Sequence, residues 1–378
     1  MEVKIFNIKT KAACSLPIWG DLERYPTKSA FCRTTCSIFW FNFTTILLLG
    51  LLFSATVKGQ DIHFSQYNFS PLNVNPALCA VSKNIQVIVN QKNQWKSLHG
   101  FRTSAASVEL KLKGKKKKLI NGLAIGLSAF NDQAGDGALK QNQLNFTLAY
   151  HLLLNPSNAL SVGLQGGMGQ KSIMEERLRW NDQYVDGVYD PTIPGAKNIT
   201  SQGFNYGDFG GGLVWSYGSA EQYITANNNF FIQAGASVLH INRPHQSFLA
   251  SPAERLNPKV VLHANSLIGL KNTNLSLAPS FLYMLQGTQS EFIYGMSFKY
   301  SIKEESKYTK FVKGTAFSLG AYHRQNALVA LAVLDIGTYS FGISYDINIS
   351  QLNATNVGTG GIEVSLRFAY PSLYQGSR

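Results

Sequence analysis

The sequence predicts an all-β fold: a transmembrane antiparallel β-barrel of about fourteen strands with an N-terminal plug-like segment. Three observations carry that expectation. Ten-residue segments alternate apolar residues with small or polar ones. Phe292, Tyr294, Met296, Phe298 and Tyr300 alternate with Glu291, Ile293, Gly295, Ser297 and Lys299. Tyr339, Phe341, Ile343, Tyr345 and Ile347, and then Ile362, Val364, Leu366, Phe368 and Tyr370, repeat the pattern. A period of two puts each set on one face of a strand. The segments have the length a tilted strand needs to cross a bilayer, so the greasy face is expected to meet lipid. Composition is the second observation. Of 378 residues, 15% are charged, 12% are aromatic and 33 are glycine, which suits β-structure with close backbone approaches better than a helical enzyme. The third is a mean hydropathy of -0.05. A barrel averages to neutral because its two faces alternate.

Residues 1–59 read as a secretory signal with a long n-region. An apolar run, Ser37 to Phe53, follows Arg33, and Val57-Lys58-Gly59 offers a cleavage site before Gln60. A single membrane anchor is the competing reading, because the run is nearly long enough to span. The barrel-like remainder favours export. The leader holds seven of the 34 basic and three of the 21 acidic residues, so the rest of the chain carries a formal net charge of +9. The densest basic run, Lys111 to Lys118, has no interleaved aromatic residues. It reads as a solvated turn near anionic headgroups rather than a nucleic-acid site. Cys14, Cys32 and Cys36 fall in the leader. Cys79 alone remains, which excludes an internal disulfide or a cysteine metal site and suits a small buried residue.

Residues 60–83, polar and aromatic with Pro71 and Pro76, are expected to lie at or inside the barrel's mouth as a periplasmic or plug segment. The barrel then occupies 84–370. Its strands are expected near 84–93, 102–112, 121–130, 141–151, 159–170, 205–217, 229–240, 258–270, 275–285, 290–301, 311–323, 325–334, 338–348 and 359–370. Leu144, Phe146, Leu148 and Tyr150 against Asn145, Thr147 and Ala149 give a clear strand, whereas 325–334 is apolar on both faces. An even strand number leaves both ends of the barrel on the periplasmic side, so odd-numbered connections should be the longer, exterior ones. The fifth (171–204), seventh (241–258) and thirteenth (349–358) fit, and Asn155 to Asn158 and Lys271 to Asn274 are compact turn sequences. The sixth, 218–228, is longer than parity expects. The last strand resembles the C-terminal assembly signal of outer-membrane proteins, although a tail, 371–378, follows it.

Catalytic and metal chemistry find little support. The seven histidines lack metal-motif spacing, with His240 and His245 the closest pair. Asp132 to Gly137 lacks the ligands of a calcium loop and reads as a tight turn. The glycines of 163–169 and 207–212 lack the lysine and the strand-to-helix context of a phosphate loop. They suit the lumen face of strands. No nucleophile elbow occurs, and Glu175 and Glu176 are adjacent residues that point apart. No enzyme and no cofactor are expected.

The segment Asp61 to Leu78, with Phe64-Ser65-Gln66-Tyr67 and Asn75-Pro76-Ala77, is similar to the N-terminus of the PorP/SprF family. The likeness continues through Asn93-Gln94-Trp95, Phe130 to Gly137, Gln143-Leu144, Gly163 to Gln165, His240 to Phe248, Ser344 to Asn348 and Gly360 to Leu366. It covers essentially all of 60–370. Cys79, the long leader and the tail depart from it. The resemblance implies an outer-membrane protein of Bacteroidetes-type bacteria, tied to type IX secretion and, for some members, to gliding. The expected function is a non-enzymatic barrel that helps export or anchor a large surface adhesin. Its partners would be outer-membrane lipid, secretion components or the adhesin itself, and no nucleic acid. Candidate partner contacts are Phe64, Ser65, Gln66, Tyr67, Pro71, Asn75, Pro76, Trp95, Asn242, Arg243 and Pro244. The competing reading of 61–78 is a plug that only stabilises the barrel. The alternative function is a transport channel for small solutes.

Overall fold

In every barrel strand the alternation sorts side chains by face. On β4 (Leu139–Asn155), Phe146 is 53% exposed and its neighbour Thr147 is fully buried. The outward faces carry most of the large exposed apolar residues, and the inward faces carry Ser, Asn, Gln and charged groups together with an apolar patch on the strands between Lys259 and Ile336. That is inside-out relative to a water-soluble sheet, and it fits lipid outside and a polar lumen.

The computed structural model describes residues 61–81, 83–94, 100–112, 122–135, 139–174, 178–190, 192–193, 203–219, 229–248, 254–303, 314–325, 327–349 and 360–371. The leader 1–59, Trp95, the basic run beyond Leu112 and the tail lie outside them. The barrel strands are β1 (Lys83–Gln94), β2 (Phe101–Lys111), β3 (Gly122–Ala134), β4, β5 (Asn158–Ser172), β8 (Gly203–Ser219), β9 (Phe230–Leu239), β10 (Lys259–Gly269) and β11 (Leu275–Gln286). They continue as β12 (Gln289–Lys303), β13 (Thr315–Arg324), β14 (Ala327–Ile336), β15 (Tyr339–Asn348) and β16 (Gly361–Pro371). Two short strands, β6 (Tyr184–Val185) and β7 (Val188–Tyr189), form a separate hairpin between β5 and β8. Each barrel strand pairs antiparallel with its sequence neighbours, and β1 pairs with β16 to close the barrel at fourteen strands. Closure removes the unpaired edges that a bilayer cannot satisfy.

One end of the barrel carries the start of β1 and the end of β16, where Lys83 faces Pro371. The connections β5–β8, β9–β10 and β15–β16 leave from the opposite end, here the loop end. Length parity fails at both ends: at the termini end β2–β3, β8–β9 and β12–β13 are joined by ten or eleven residues, and two loop-end connections are very short. β11–β12 and β13–β14 turn within two residues, and Gly287 takes the positive φ of +62° that such a turn needs. At the termini end, Asn155 Oδ1 accepts from the backbone N–H of Ser157 and Asn158 at 3.0 and 2.8 Å, which fixes the β4–β5 turn.

The two-faced apolar stretch at β14 has a packing explanation. Leu328 and Leu334 face outward, while Val329 and Val333 face inward and are buried against residues of the N-terminal segment. Inward apolar residues of β10–β14, including Val261, Leu282, Ile293 and Tyr322, pack around Tyr67 and Val74 in the main apolar cluster. Each such burial contributes about 1.5–3 kcal/mol.

Candidate functional site

The N-terminal segment is the feature that sets this lumen apart. Residues 61–80 form three short helical turns, Tyr67–Phe69, Pro71–Val74 and Pro76–Leu78. Pro71 and Pro76 each open a turn, where their missing N–H costs nothing. The segment touches the wall on every side. Its residues hydrogen-bond to side chains or backbone of β1, β2, β4, β5, β8–β13, β15 and β16. They pack on β3 and β14 through Phe64 with Phe130 and Phe69 with Val333. All fourteen strands are thus engaged.

The segment also has a direction. Asp61 meets Gln286 and His240 at the loop end, and Ala80 meets Glu109 near the termini end of β2. The chain therefore descends the lumen from the loop end before it enters β1. The sequence-based expectation of a segment at the mouth or within the barrel gave no such direction.

Charged groups hold the loop-end half. His240 Nδ1 lies 2.8 Å from Asp208 Oδ1, and Nε2 lies 3.1 Å from Asp61 Oδ2. Lys259 Nζ stands 4.0 Å from the same Asp61 oxygen. Burial pushes the His240 pKa down, but its hydrogen bonds and charge attraction to Asp208 and Asp61 outweigh that and raise it to about 9. Burial pushes Asp61 up, and the His240 hydrogen bond and charge, with Lys259 and Lys171 behind, hold its carboxyl well below the usual range. Across the lumen Glu363 accepts from the backbone N–H of Ser65 and Gln66 at 2.9 and 3.0 Å. Ser65 Oγ donates to Asp346 at 2.7 Å, and Arg324 reaches the same carboxylate at 2.9 Å. Lys92 Nζ sits 3.7 Å from Asp346 and donates to the His63 carbonyl at 3.2 Å. His63 Nδ1 lies 3.1 Å from Glu291. Burial, with Lys92, Arg324 and Lys259 nearby, lowers the His63 pKa well below the ordinary value.

Backbone fit holds the middle. Asn75 is fully buried. Its Nδ2 donates to the carbonyls of Leu213 and Ala236 at 3.0 and 3.2 Å, and its Oδ1 accepts from Ala77 N–H at 2.9 Å. A Cβ at Gly212 would overlap the Asn75 side chain, and one at Gly163 would overlap the Pro76–Ala77 backbone. These two glycines are thus explained by close approach to the segment. Further down, His151 Nε2 lies 2.9 Å from the Cys79 carbonyl, and Glu109 accepts from Ala80 N–H at 2.7 Å. Cys79 itself is free and buried.

The expected contact residues divide between two places. Phe64, Ser65, Gln66, Tyr67, Pro71, Asn75 and Pro76 are all buried inside the barrel. Asn242 and Arg243 are exposed on the loop after β9, where Arg243 has a φ of +45° and Pro244 is buried. Asn242 donates to the Gly207 carbonyl at 2.8 Å and accepts from Phe209 N–H at 3.2 Å, which pins that loop to β8. The β6–β7 hairpin presents Tyr184, Val185 and Val188 to solvent. Buried Gln183 braces it by donating to the Ile193 carbonyl and accepting from Trp180 N–H, both at 2.9 Å.

Sequence reasoning did not single out Asp61, Asp208, His240, Lys92, Arg324, Asp346 and Glu363 as one constellation. A signal was present. Asp346 and Glu363 are charges at inward positions of otherwise neutral strand motifs, and such charges need partners. Among the described residues no group of three or more His, Cys, Asp or Glu is arranged to hold a metal ion.

A family model described as "Type IX secretion system membrane protein PorP/SprF" matches residues 56–368. A comparison with curated protein sequences finds no match. Among solved structures the chain is similar to BamA from Haemophilus ducreyi lacking POTRA domains 1–3, at 9% identity and a TM-score of 0.39, over 76% of this chain and 70% of that one. It is similar to the CymD monoaromatic hydrocarbon channel at 10% identity and 0.41, over 83% and 96%. A TodX deletion mutant, also a monoaromatic hydrocarbon channel, matches at 8% and 0.41, over 78% and 92%. The barrel assignment rests on this chain's own strand pairing.

Proposed function

The chain belongs to the PorP/SprF family of type IX secretion system membrane proteins, and from that premise we propose that it is a non-enzymatic outer-membrane barrel that helps export or anchor a large surface protein. The observation that carries this reading is the occupied lumen. Residues 61–80 engage all fourteen strands, which disfavours an open path for solutes and leaves recognition to the loop end. In this reading the buried residues Phe64 to Pro76 fill and brace the barrel. The exposed contacts are Asn242, Arg243 and the β6–β7 hairpin, whose aromatic and β-branched side chains suit a protein partner.

Deletion of the gene should abolish surface display of at least one large type IX substrate, measured by labelling of intact cells. A chain lacking only the hairpin, 184–189, should restore the barrel to the membrane without restoring display. Normal display of all type IX cargo in the deletion strain would overturn the proposal.

A further inference from the structure

We propose that the outer wall of β1–β5 and β8 holds one acylated, phosphorylated glycolipid of the outer leaflet, a lipid A-type molecule. The site has three levels along the strands. The lowest is a depression of about 570 Å³ on the lipid-facing surface, over the small residues Ala106 and Ala129 and flanked by Val89, Leu144 and Met168. Small side chains there leave the wall concave where its neighbours are convex.

The second level is a row of uncharged polar groups along the depression's loop-end edge. Gln91, Ser104, Asn131, Asn142, Gln170 and Asn205 stand on six adjacent strands and are direct cross-strand partners. All face outward, opposite to the inward Asn90, Thr103 and Gln143. Ser104 Oγ donates to Gln91 Oε1 at 2.6 Å, and Asn131 Nδ2 donates to Asn142 Oδ1 at 2.5 Å. The third level, one outward position further toward the loop end, places Arg102 on β2 and Lys140 on β4, with Gln133 of β3 between them in register. No carboxylate shares that row among its described members, Asn93, Arg102, Gln133, Lys140, Ser172 and Gly203.

Depth matches these levels to a lipid. On β4 the outward residues from Leu144 to Leu154 are apolar or tyrosine. At ~3.3 Å per residue and a ~45° tilt they cover roughly 24 Å, the height of a barrel's apolar band. The amide row thus lies at the acyl–headgroup boundary, and the basic row lies among the headgroups. An amide- and ester-linked lipid presents the same sequence: acyl chain, carbonyl linkage, phosphate. Arginine and lysine bind phosphate by charge-assisted hydrogen bonds, and carboxamides pair with the linkage carbonyls. The opposite wall lacks this order. Tyr283, Phe292, Tyr294 and Ile347 occupy its outward positions near the loop end.

The test is native mass spectrometry of the full chain, purified in detergent and offered bis-phosphorylated lipid A, the dephosphorylated form or phosphatidylethanolamine. Circular dichroism checks that each variant retains its β-structure. One lipid A should remain bound per barrel, and both R102A/K140A and removal of the phosphates should weaken retention by about tenfold. A129W, which fills the depression, should also lose the lipid. Equal retention by wild type and R102A/K140A would overturn the site. Displacement of lipid A by an equal concentration of phosphatidylethanolamine would also overturn it, since the wall would then be a general glycerophospholipid surface. Should A129W fail to fold, R102A/K140A decides alone.

Discussion

His240 joins the segment to the wall, because it bridges a carboxylate of each. Its raised pKa makes its contribution fully present below the ordinary histidine value near 6.5, and that contribution is lost as pH rises through about 9. Asp61 acts in the opposite sense. Its depressed pKa adds stability above its unfolded value of 3.8, lost as pH falls. The bridge is therefore strongest between mildly acidic and neutral pH. His240→Ala should cost about 3–5 kcal/mol, because it leaves two buried carboxylates facing each other. The thermal midpoint of the wild type should fall between about pH 6 and pH 10 by more than that of the variant. Equal falls would remove His240 from the latch. Cys79 offers a second readout, since it is a buried residue of the segment itself. In a chain with serine at Cys14, Cys32 and Cys36, a maleimide should label Cys79 slowly. Gly212→Val, which pushes on Asn75, should accelerate labelling about tenfold or more if the site opens locally. Unchanged labelling with unchanged fold would show that Gly212 does not hold the segment. These pairings were hard to read in the sequence because the partners are far apart in it. Asp61 and His240 are 179 residues apart, and Ser65 and Glu363 are 298. What could be read was that the motifs at 163–165, 240–248, 344–348 and 360–366 were dense. The structure brings Gly163, His240, Asp346 and Glu363 of those motifs to one segment.

At the scale of elements the strands were legible and the segment only partly so. A period of two survives any tertiary context when one face meets lipid and the other meets polar groups. That is why β4, β12 and β15 stand out in the sequence. Where the inward face is apolar, as at Val329 and Val333 of β14, the alternation disappears because the segment's aromatics are the solvent on that side. The parity rule fails at β11–β12 and β13–β14, where a two-residue turn suffices and the strand bounds read from the sequence already left only short connections. Nothing in 61–80 announced its direction, since three short turns pinned by proline and Asn75 have no periodicity to read. The same element occupies the lumen. Removing 61–80 should leave the polar inward faces of the strands lining open space, with the buried charges Lys92, Arg324, Asp346 and Glu363 hydrated.

For the whole molecule, the closed fourteen-strand wall explains residence in a membrane, and the filled lumen directs attention to the loop end. Under the proposed function, such a barrel recognises a protein partner and its wall is a fixed scaffold. The measurement that tests this most directly is conductance of the purified protein in planar bilayers, with and without residues 61–80. The intact barrel should show no steady pore-sized current, and the deletion should show a stable ohmic one. Should the deletion fail to assemble, Gly212→Val should show intermittent openings that the wild type lacks. An intact barrel that conducts like an open porin, unchanged by either alteration, would contradict the account.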